Sequence, residues 1–314
     1  MQVLSLFDGL GGCRIALDKV GITPSVYYSS EIDKYAMQVA QHKYPDIIPL
    51  GDMTKWRDWD IDFSSIDLLT AGFPCQAWST AGKMQGDNDP RGALVHDLID
   101  IWKHITSLNP RLKFMFENVK MKKEFLDYVN ELFGVEPILI NSALVSAQNR
   151  KRYYWTNIEG VEQPDDLGLV LADVIESGGS AGSGNMLIGG KCEPREFNKN
   201  STCHHAATAT DIKGNQAIKR VYASTGKAPT LTTMQGGHQE PKVGLTDITY
   251  RKLTPLECER LQTLPDNYTL VLDGNGKQLV SNSQRYKMIG NGWTIGVVAH
   301  IFKGLNTNKL EADD

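Results

Sequence analysis

The sequence predicts an α/β fold, a doubly wound, mostly parallel sheet carrying a second, smaller and irregular domain. Three observations carry that prediction. Short apolar or β-branched runs alternate with helix-patterned segments through the first 160 residues. Glycines, acids and a Pro-Cys pair follow the ends of those runs, which is where open α/β sheets bind ligands. The rhythm then stops, and regular helix signals return only at residue 254.

In chain order, QVLSLF at 2–7, VYYSSE at 26–31, IDLLTAGF at 66–73, LKFMFE at 112–117 and ILINSALV at 138–145 read as strands. Between the third and fourth lies RGALVHDLIDIWKHITSL, where Leu94, Leu98, Ile101, Trp102, Ile105 and Leu108 recur at helical spacing and form a stripe for packing on the sheet. SGGSAGSG at 177–184 is a spacer in a polar region rich in Gly, Thr and Asn. TPLE at 254–257 is a capping box: Thr254 at the N-cap, Pro255 at the first helical position and Glu257 at the third. That helix ends before Pro265. SQRYKMIGNG gives a short helix stopped by Gly290, and WTIGVVAHIFKGL a final one. The domains expected are 1–160, 161–247 and a C-terminal segment, 248–314, returning to the first.

Composition excludes several classes. The chain has 314 residues, 41% hydrophobic and 22% charged, and no run approaches the ~18 apolar residues of a membrane span. The opening residues lack a basic region and a cleavage site, so no signal peptide is expected. The five cysteines, at 13, 75, 192, 203 and 258, are odd in number and lack a CxxC pair. That predicts a reducing, cytoplasmic setting and removes a disulfide reading of Cys75. Net charge is −4, yet residues 185–245 hold eight cations against four anions, a local basic surface able to meet phosphates. Cys192, Cys203, His204 and His205 lack the close pair of a structural zinc site, so no metal is expected.

Chemistry gathers at the predicted strand ends. LFDGLGG lets the backbone turn tightly at a helix start, although its G-x-G-G spacing is not the dinucleotide fingerprint. Glu31 lies about 20 residues further on, placed for ribose hydroxyls, and Asp52 in GDMT is placed for an adenine amino group. Together they suggest an adenosine-containing cofactor. Cys75 follows one strand and Glu117 ends the next, while Arg150 and Arg152 in QNRKRYYW add positive charge able to lower a thiol pKa or hold a substrate oxygen. A lone cysteine is more often structural, but this convergence favours a nucleophile.

At these residues the chain resembles the cytosine-5 DNA methyltransferases. The blocks LFDGLGG, SSEID, GDMT, GFPCQAWSTAGK, DPRGAL, FENV, QNRKRYYW, RKLTPLECERLQTLPDNY and SQRYKMIGNGW follow the family's order from residue 3 to about 304. The resemblance implies a class I S-adenosylmethionine-dependent methyltransferase fold, with a target recognition domain in the variable region. It implies that Cys75 attacks C6 of a cytosine flipped out of double-stranded DNA, that Glu117 engages N3 and the exocyclic amine, that Arg152 holds O2 and that Arg150 braces the site. C5, a poor nucleophile on its own, then accepts the methyl of S-adenosylmethionine. Implied cofactor contacts are Phe7, Gly9, Gly11, Glu31, Ile32, Asp52, Met53, Pro74, Leu94 and Asn291. Implied DNA contacts are Gln76 and Ser79, in a closing loop hinged at Gly82 and Gly86, and Thr230, Leu231, Thr232, Gln235 and His238.

Some positions depart from the commonest family form. Ser5 stands where many members have Asp, Asp8 where many have Ala, and Gly292 and Trp293 replace Ser and Val, which implies a reshaped methionine pocket. A tRNA cytosine methyltransferase is the nearest rival reading, and an inert DNA-binding scaffold the next. The absence of a large extra domain suggests a stand-alone, monomeric modification enzyme of a bacterial or phage-infected cell.

Overall fold

A computed structural model describes residues 1–74, 90–176 and 190–307. Cys75, Gln76, Ser79, Gly82 and Gly86 lie outside the described residues. The chain divides into two compact units: residues 1–140, 151–163 and 297–314 form the first, and residues 141–150 and 164–296 the second.

The first unit begins with β1 (Gln2–Leu6), α1 (Gly12–Lys19), β2 (Val26–Ser30), α2 (Lys34–Lys43), the two-residue β3 (Ile48–Pro49) and β4 (Leu68–Gly72). There follow α3 (Pro90–Leu108), β5 (Lys113–Val119), α4 (Lys123–Phe133), β6 (Ile138–Asn141) and β7 (Lys151–Thr156). The seven strands lie in the order β3-β2-β1-β4-β5-β7-β6. Pairing is parallel from β3 through β5, and β7 runs antiparallel to β5. Register places Leu6 opposite both Ser30 and Ala71, and Gly72 opposite Glu117, so the C-terminal ends of β1, β2 and β4 and the Glu117 end of β5 share one edge. The helical stripe of α3 packs in its middle: Leu98, Ile101 and Ile105 are fully buried in a core with Phe114, Phe116, Phe133 and Trp155. Leu94 and Trp102 are partly buried, and Leu108, at the helix end, is exposed. Fully burying side chains of this size stabilises by about 1.5–3 kcal/mol each.

Sequence patterning did not mark β7 as a strand. KRYYWT has no helix between it and β6, which breaks the strand-helix alternation, and its antiparallel pairing is a departure that the alternation does not encode.

In the second unit β8 (Gly190–Pro194), β9 (His205–Ala209), β10 (Arg220–Tyr222), β11 (Lys242–Thr246) and β12 (Thr249–Lys252) close into a small barrel around Cys192, Ala207, Ala209, Val221 and Tyr250. The irregular region expected here is therefore ordered β structure. Strands of three to five residues are too short to show a period in sequence. Then come α5 (Pro255–Leu261), α6 (Asn282–Asn291), α7 (Ile295–Phe302), which crosses the boundary between the units, and the short α8 (Gly304–Thr307). The capping box forms as read: Glu257 N donates to Thr254 Oγ1 at 3.2 Å and Thr254 N to Glu257 Oε2 at 2.8 Å.

Gly290 does not stop its helix. The helix α6 continues to Asn291, and Gly292 takes an ordinary φ of −71°. Gly290 instead permits a close approach, because a Cβ there would sit 1.8 Å from Thr232 O. Residues 141–150 and 248–296, expected with the first domain, pack in the second unit. A buried polar network holds them: Gln148 Nε2 donates to Leu261 O and Gln262 Oε1, both at 3.1 Å, and Gln262 Nε2 donates to Ile289 O at 2.8 Å.

Candidate active site

In the first unit the glycine turn leaves β1 through Phe7, Gly9 and Gly11, all at positive φ (53°, 60° and 84°). Gly11 is also the N-cap of α1. Left-handed backbone is natural for glycine but sparsely populated for phenylalanine, so the turn needs external support. Asp8 supplies some of it. Its N donates to Ser30 O at 3.2 Å and its O accepts from Gly11 N at 3.1 Å. Its Oδ1 accepts from Ser5 Oγ at 2.6 Å and from Tyr27 Oη at 2.7 Å. Thr70 Oγ1 backs Ser5 Oγ at 3.0 Å. The other carboxyl oxygen of Asp8 is buried without a hydrogen-bond partner, and burial raises the pKa to about 6 against the opposing bonds from Ser5 and Tyr27.

Glu31 closes the turn from β2. Its Oε2 accepts from Gly9 N at 2.9 Å and its Oε1 from Ile32 N and Asp33 N, each at 2.7 Å. Beside it Ile32 is 77% exposed, an apolar surface next to a fixed acid. Asp52 is exposed and caps a 3-10 helix through Thr54 N at 3.0 Å. Met53 is a core residue at 4% exposure, while Leu94 on α3 and Pro74 are half-buried.

The exit of β4 is anchored twice. Phe73, 3% exposed, packs on Phe133 and Trp155 with ring centroids 5.9 and 6.0 Å away. Asn118 Nδ2 donates to Phe73 O at 3.3 Å. Phe73, just before the Pro74-Cys75 pair of the sequence, is therefore a fixed point. Asn118 was not singled out in the sequence, although its place beside Glu117 in FENV was the available signal. Glu117 itself receives Arg152 Nε on Oε1 at 2.9 Å, an ion pair with side chains 11% and 13% exposed. A shielded pair of this geometry is worth more than one on the surface and holds both groups in a single orientation.

The four described cysteines are poor nucleophiles. Burial pushes the thiol of Cys13 up to about 12, Cys258 well above its ordinary value, and Cys192 and Cys203 upward too. Each is therefore held as the unreactive thiol at neutral pH. Cys192, Cys203 and His204 also have protein partners: Asp247 O, Ala228 O and, for the histidine, Thr225 Oγ1 with Lys199 O.

In the second unit Arg150, 4% exposed, donates from Nη1 to Leu231 O at 3.0 Å and from Nη2 to Gly290 O and Gly292 O, both at 3.1 Å. That guanidinium braces backbone. Leu231, expected among the DNA contacts, has its side chain buried at 2% exposure and is an anchor of its segment. Its N donates to Gln148 Oε1 at 2.9 Å. Thr230, Thr232, Gln235 and His238 are exposed on the same stretch, and Asn291 is exposed at the end of α6. Gln148, Gln262 and Thr294, buried and mutually bonded, were missed because polar residues read as surface.

An acid–arginine pair and a glycine turn at one edge of a mostly parallel sheet are the arrangement expected of an α/β enzyme with a nucleotide-like cofactor. Comparison with known proteins sharpens that class. The model of the C-5 cytosine-specific DNA methylase family matches residues 1–307. Type II methyltransferase M.HhaI of Haemophilus parahaemolyticus is 30% identical, the alignment covering 96% of this chain and 93% of that protein. Type II methyltransferase M.HpaII of Haemophilus parainfluenzae is 29% identical over 92% and 84%, and orphan methyltransferase M.SPBetaI of Bacillus phage SPbeta 26% identical over 97% of each. Among solved structures, Entamoeba histolytica methyltransferase EhMeth superposes with a TM-score of 0.67 at 14% identity, covering 98% of each chain. A DNMT2 variant of Spodoptera frugiperda gives 0.61 at 18%, covering 97% and 99%. The chain belongs to the C-5 cytosine-specific DNA methylase family. It is a DNA (cytosine-5-)-methyltransferase, and its methyl donor is S-adenosylmethionine.

Proposed function

We propose that this enzyme methylates C5 of a cytosine within a short double-stranded DNA target, working on a flipped base through a covalent bond from Cys75 to C6. The observation that carries the proposal is the Glu117–Arg152 pair at the end of β5, beside the doubly anchored β4 exit that leads into Cys75. The elevated thiols of the other four cysteines support the same assignment.

The residues fit an adenosine-bearing donor: Glu31 presents a fixed carboxylate to ribose hydroxyls, exposed Ile32 an apolar face to a purine, and the glycine turn backbone groups at a helix start. Phe7, Gly9, Gly11, Glu31, Ile32 and Asp52 would hold the donor, with Asn291 joining by resemblance to the family. When bound, S-adenosylmethionine supplies an electrophilic methyl group.

The Cys75 thiolate adds to C6, and the C5–C6 π electrons move towards C5 and the N3–O2 system. Glu117, as the carboxylic acid, donates to N3 while its other oxygen accepts from the exocyclic amine, and Arg152 faces O2, so both stabilise the negative charge spread onto the ring. After C5 carries its methyl, the C5 proton leaves to solvent base. The electrons of that C–H bond then re-form C5=C6 and expel the Cys75 thiolate. The enzyme is proposed to act as a monomer in a bacterial or phage-infected cytoplasm. No helix among the described residues is long and apolar enough to cross a membrane.

The test is to incubate the protein and S-adenosylmethionine with an unmethylated random duplex library and with tRNA side by side, then sequence both after bisulfite. Protected cytosines within one short DNA consensus are expected. Protection confined to tRNA, or to neither, would overturn the reading.

A further inference from the structure

The recognition stretch contains a second run of left-handed backbone. Met234, Gly236, Gly237 and His238 have φ of 49°, 83°, 64° and 60°, four of five consecutive residues. The glycines are there for φ, because a Cβ on either would meet nothing within 4 Å. Residues with a side chain hold such angles only where the surroundings impose them. Gln235, Gly236, Gly237, His238 and Gln239 are exposed, so the support comes from beneath.

Two groups provide it. Met234 is buried at 2% exposure. Lys242, also 2% exposed, donates from Nζ to His238 O at 2.6 Å and to Glu240 O at 3.0 Å. It is the first residue of β11, paired with Val221 of β10 and Lys252 of β12, so the ammonium is rooted in the barrel. Lys252 reaches Glu240 Oε2 at 3.0 Å and ties down the loop's far end. A buried ammonium bonded to carbonyls is expensive to desolvate, and lysines are rarely kept so. An apolar residue would complete the barrel rim without that cost, but it would leave both carbonyls unbound.

We propose that Lys242 is the positioning residue of a DNA-reading loop: its ammonium clips the carbonyls of His238 and Glu240, fixing the left-handed backbone that presents Gln235 and His238 to base edges. Target specificity then depends on a lysine that touches no DNA. The proposal rests on the reading of 230–238 as DNA-facing. Burial and the like charge of Lys252 lower the Lys242 pKa to about 8, against the opposing pull of Glu240 and Asp211. The clip therefore weakens as pH rises through that value, when the amine loses its charge and one donor. Asp211, Glu240, Lys252 and, within the loop, His238 are the other titratable groups facing it.

The experiment measures kcat and KM for a target duplex and for one with a single altered base pair, from pH 6.5 to 9.5. It compares the natural protein with Lys242→Met, Gln235→Ala and His238→Ala. Lys242→Met is expected to raise KM for the target about tenfold, the effect of roughly one charge-assisted hydrogen bond. It should leave kcat within about threefold on the same scale and narrow discrimination between the duplexes. The natural protein should lose discrimination above pH 8, and the variant should show no such step. Unchanged discrimination in Lys242→Met, while Gln235→Ala or His238→Ala impairs it, would overturn the clip alone. No effect of any of the three would overturn the DNA-facing reading as well. If Lys242→Met does not fold, the natural protein's own profile decides, and discrimination flat across pH 8 contradicts the proposal.

Discussion

The glycine turn at the exit of β1 and the loop at 234–238 solve one problem in opposite ways. Each contains left-handed backbone at a residue with a side chain, Phe7 in one and Met234 and His238 in the other. Each also lies against a buried ionisable group, Asp8 at 6% exposure and Lys242 at 2%. The carboxyl of Asp8 works through side chains from several strands: Ser5 on β1, Tyr27 on β2, and Thr70 on β4 behind Ser5, with Glu31 clasping Gly9 N independently. The ammonium of Lys242 works on backbone carbonyls alone. A turn supported by several strands tolerates the loss of one partner. A loop held chiefly by one ammonium does not, so the second region should be more easily retuned by a single substitution.

The contrast also explains two departures from the commonest family sequence. Ser5 and Asp8 are bonded to each other at 2.6 Å, so the serine and the acid form one coupled unit.

The largest expected effect falls on the segment that leads into the second region, at Thr232. Gly290→Ala would drive a methyl group into Thr232 O, where a Cβ has 1.8 Å, and overpacking of this kind typically costs about 1–3 kcal/mol or more. Thermal melting should drop by several degrees, and DNA binding should suffer more than donor binding measured by calorimetry. Equal losses in both would undo the separation of the two regions.

Next comes Asp8→Ala, which strands the buried hydroxyls of Ser5 and Tyr27 at a cost of about 1–3 kcal/mol. The double variant Ser5→Asp, Asp8→Ala restores the commoner family pairing and should recover part of that loss in a denaturant titration. Strict additivity of the two changes would show that they are not coupled.

A pH experiment separates the two buried groups by sign. The folded pKa of Asp8 is raised from 3.8 to about 6, so its contribution is complete below pH 4 and is lost as pH rises to 6, by about 2–3 kcal/mol in total. Lys242 is lowered from 10.5 to about 8, so its burial penalty is relieved as pH rises from 8 to 10.5. Asp8→Asn should flatten melting temperature against pH between 4 and 6, and Lys242→Met between 8 and 10. Melting curves that keep their slope in either window would refute the corresponding assignment. The smallest effect is at Thr254→Ala, which removes one half of a formed capping box and should cost about 1 kcal/mol in the same assay.

Local signals were legible in sequence wherever one short stretch carries the whole physical reason. The capping box at 254–257 needs only its own residues, strands β1, β2, β4, β5 and β6 declare themselves by short apolar or β-branched runs, and α3 by helical spacing. Relations between distant residues were not legible. Gly290 read as a helix stop because nothing in SQRYKMIGNG reveals that residue 232 crosses it. Leu231 read as a DNA contact because APTLTTMQGGH resembles the family's base-approaching segment as a whole, whereas its own side chain is buried. The barrel read as irregular because its strands are too short for a period, and Lys242 read as one more surface cation. At the active site, residue types pointed to Cys75, Glu117 and Arg152. The contacts of Asn118 and Phe73 that fix the β4 exit became visible only in the fold.

The most direct test of the account is covalent trapping at Cys75. A target duplex carrying 5-fluorocytosine presents C5 with a fluorine that cannot leave as a proton does, so addition and methylation should halt at the linked stage. With S-adenosylmethionine present, the account predicts a complex stable to detergent and heat, with the nucleotide mapped by peptide mass to Cys75, and none from Cys75→Ser. A duplex that is methylated without forming an adduct, or an adduct mapped to another residue, would contradict it.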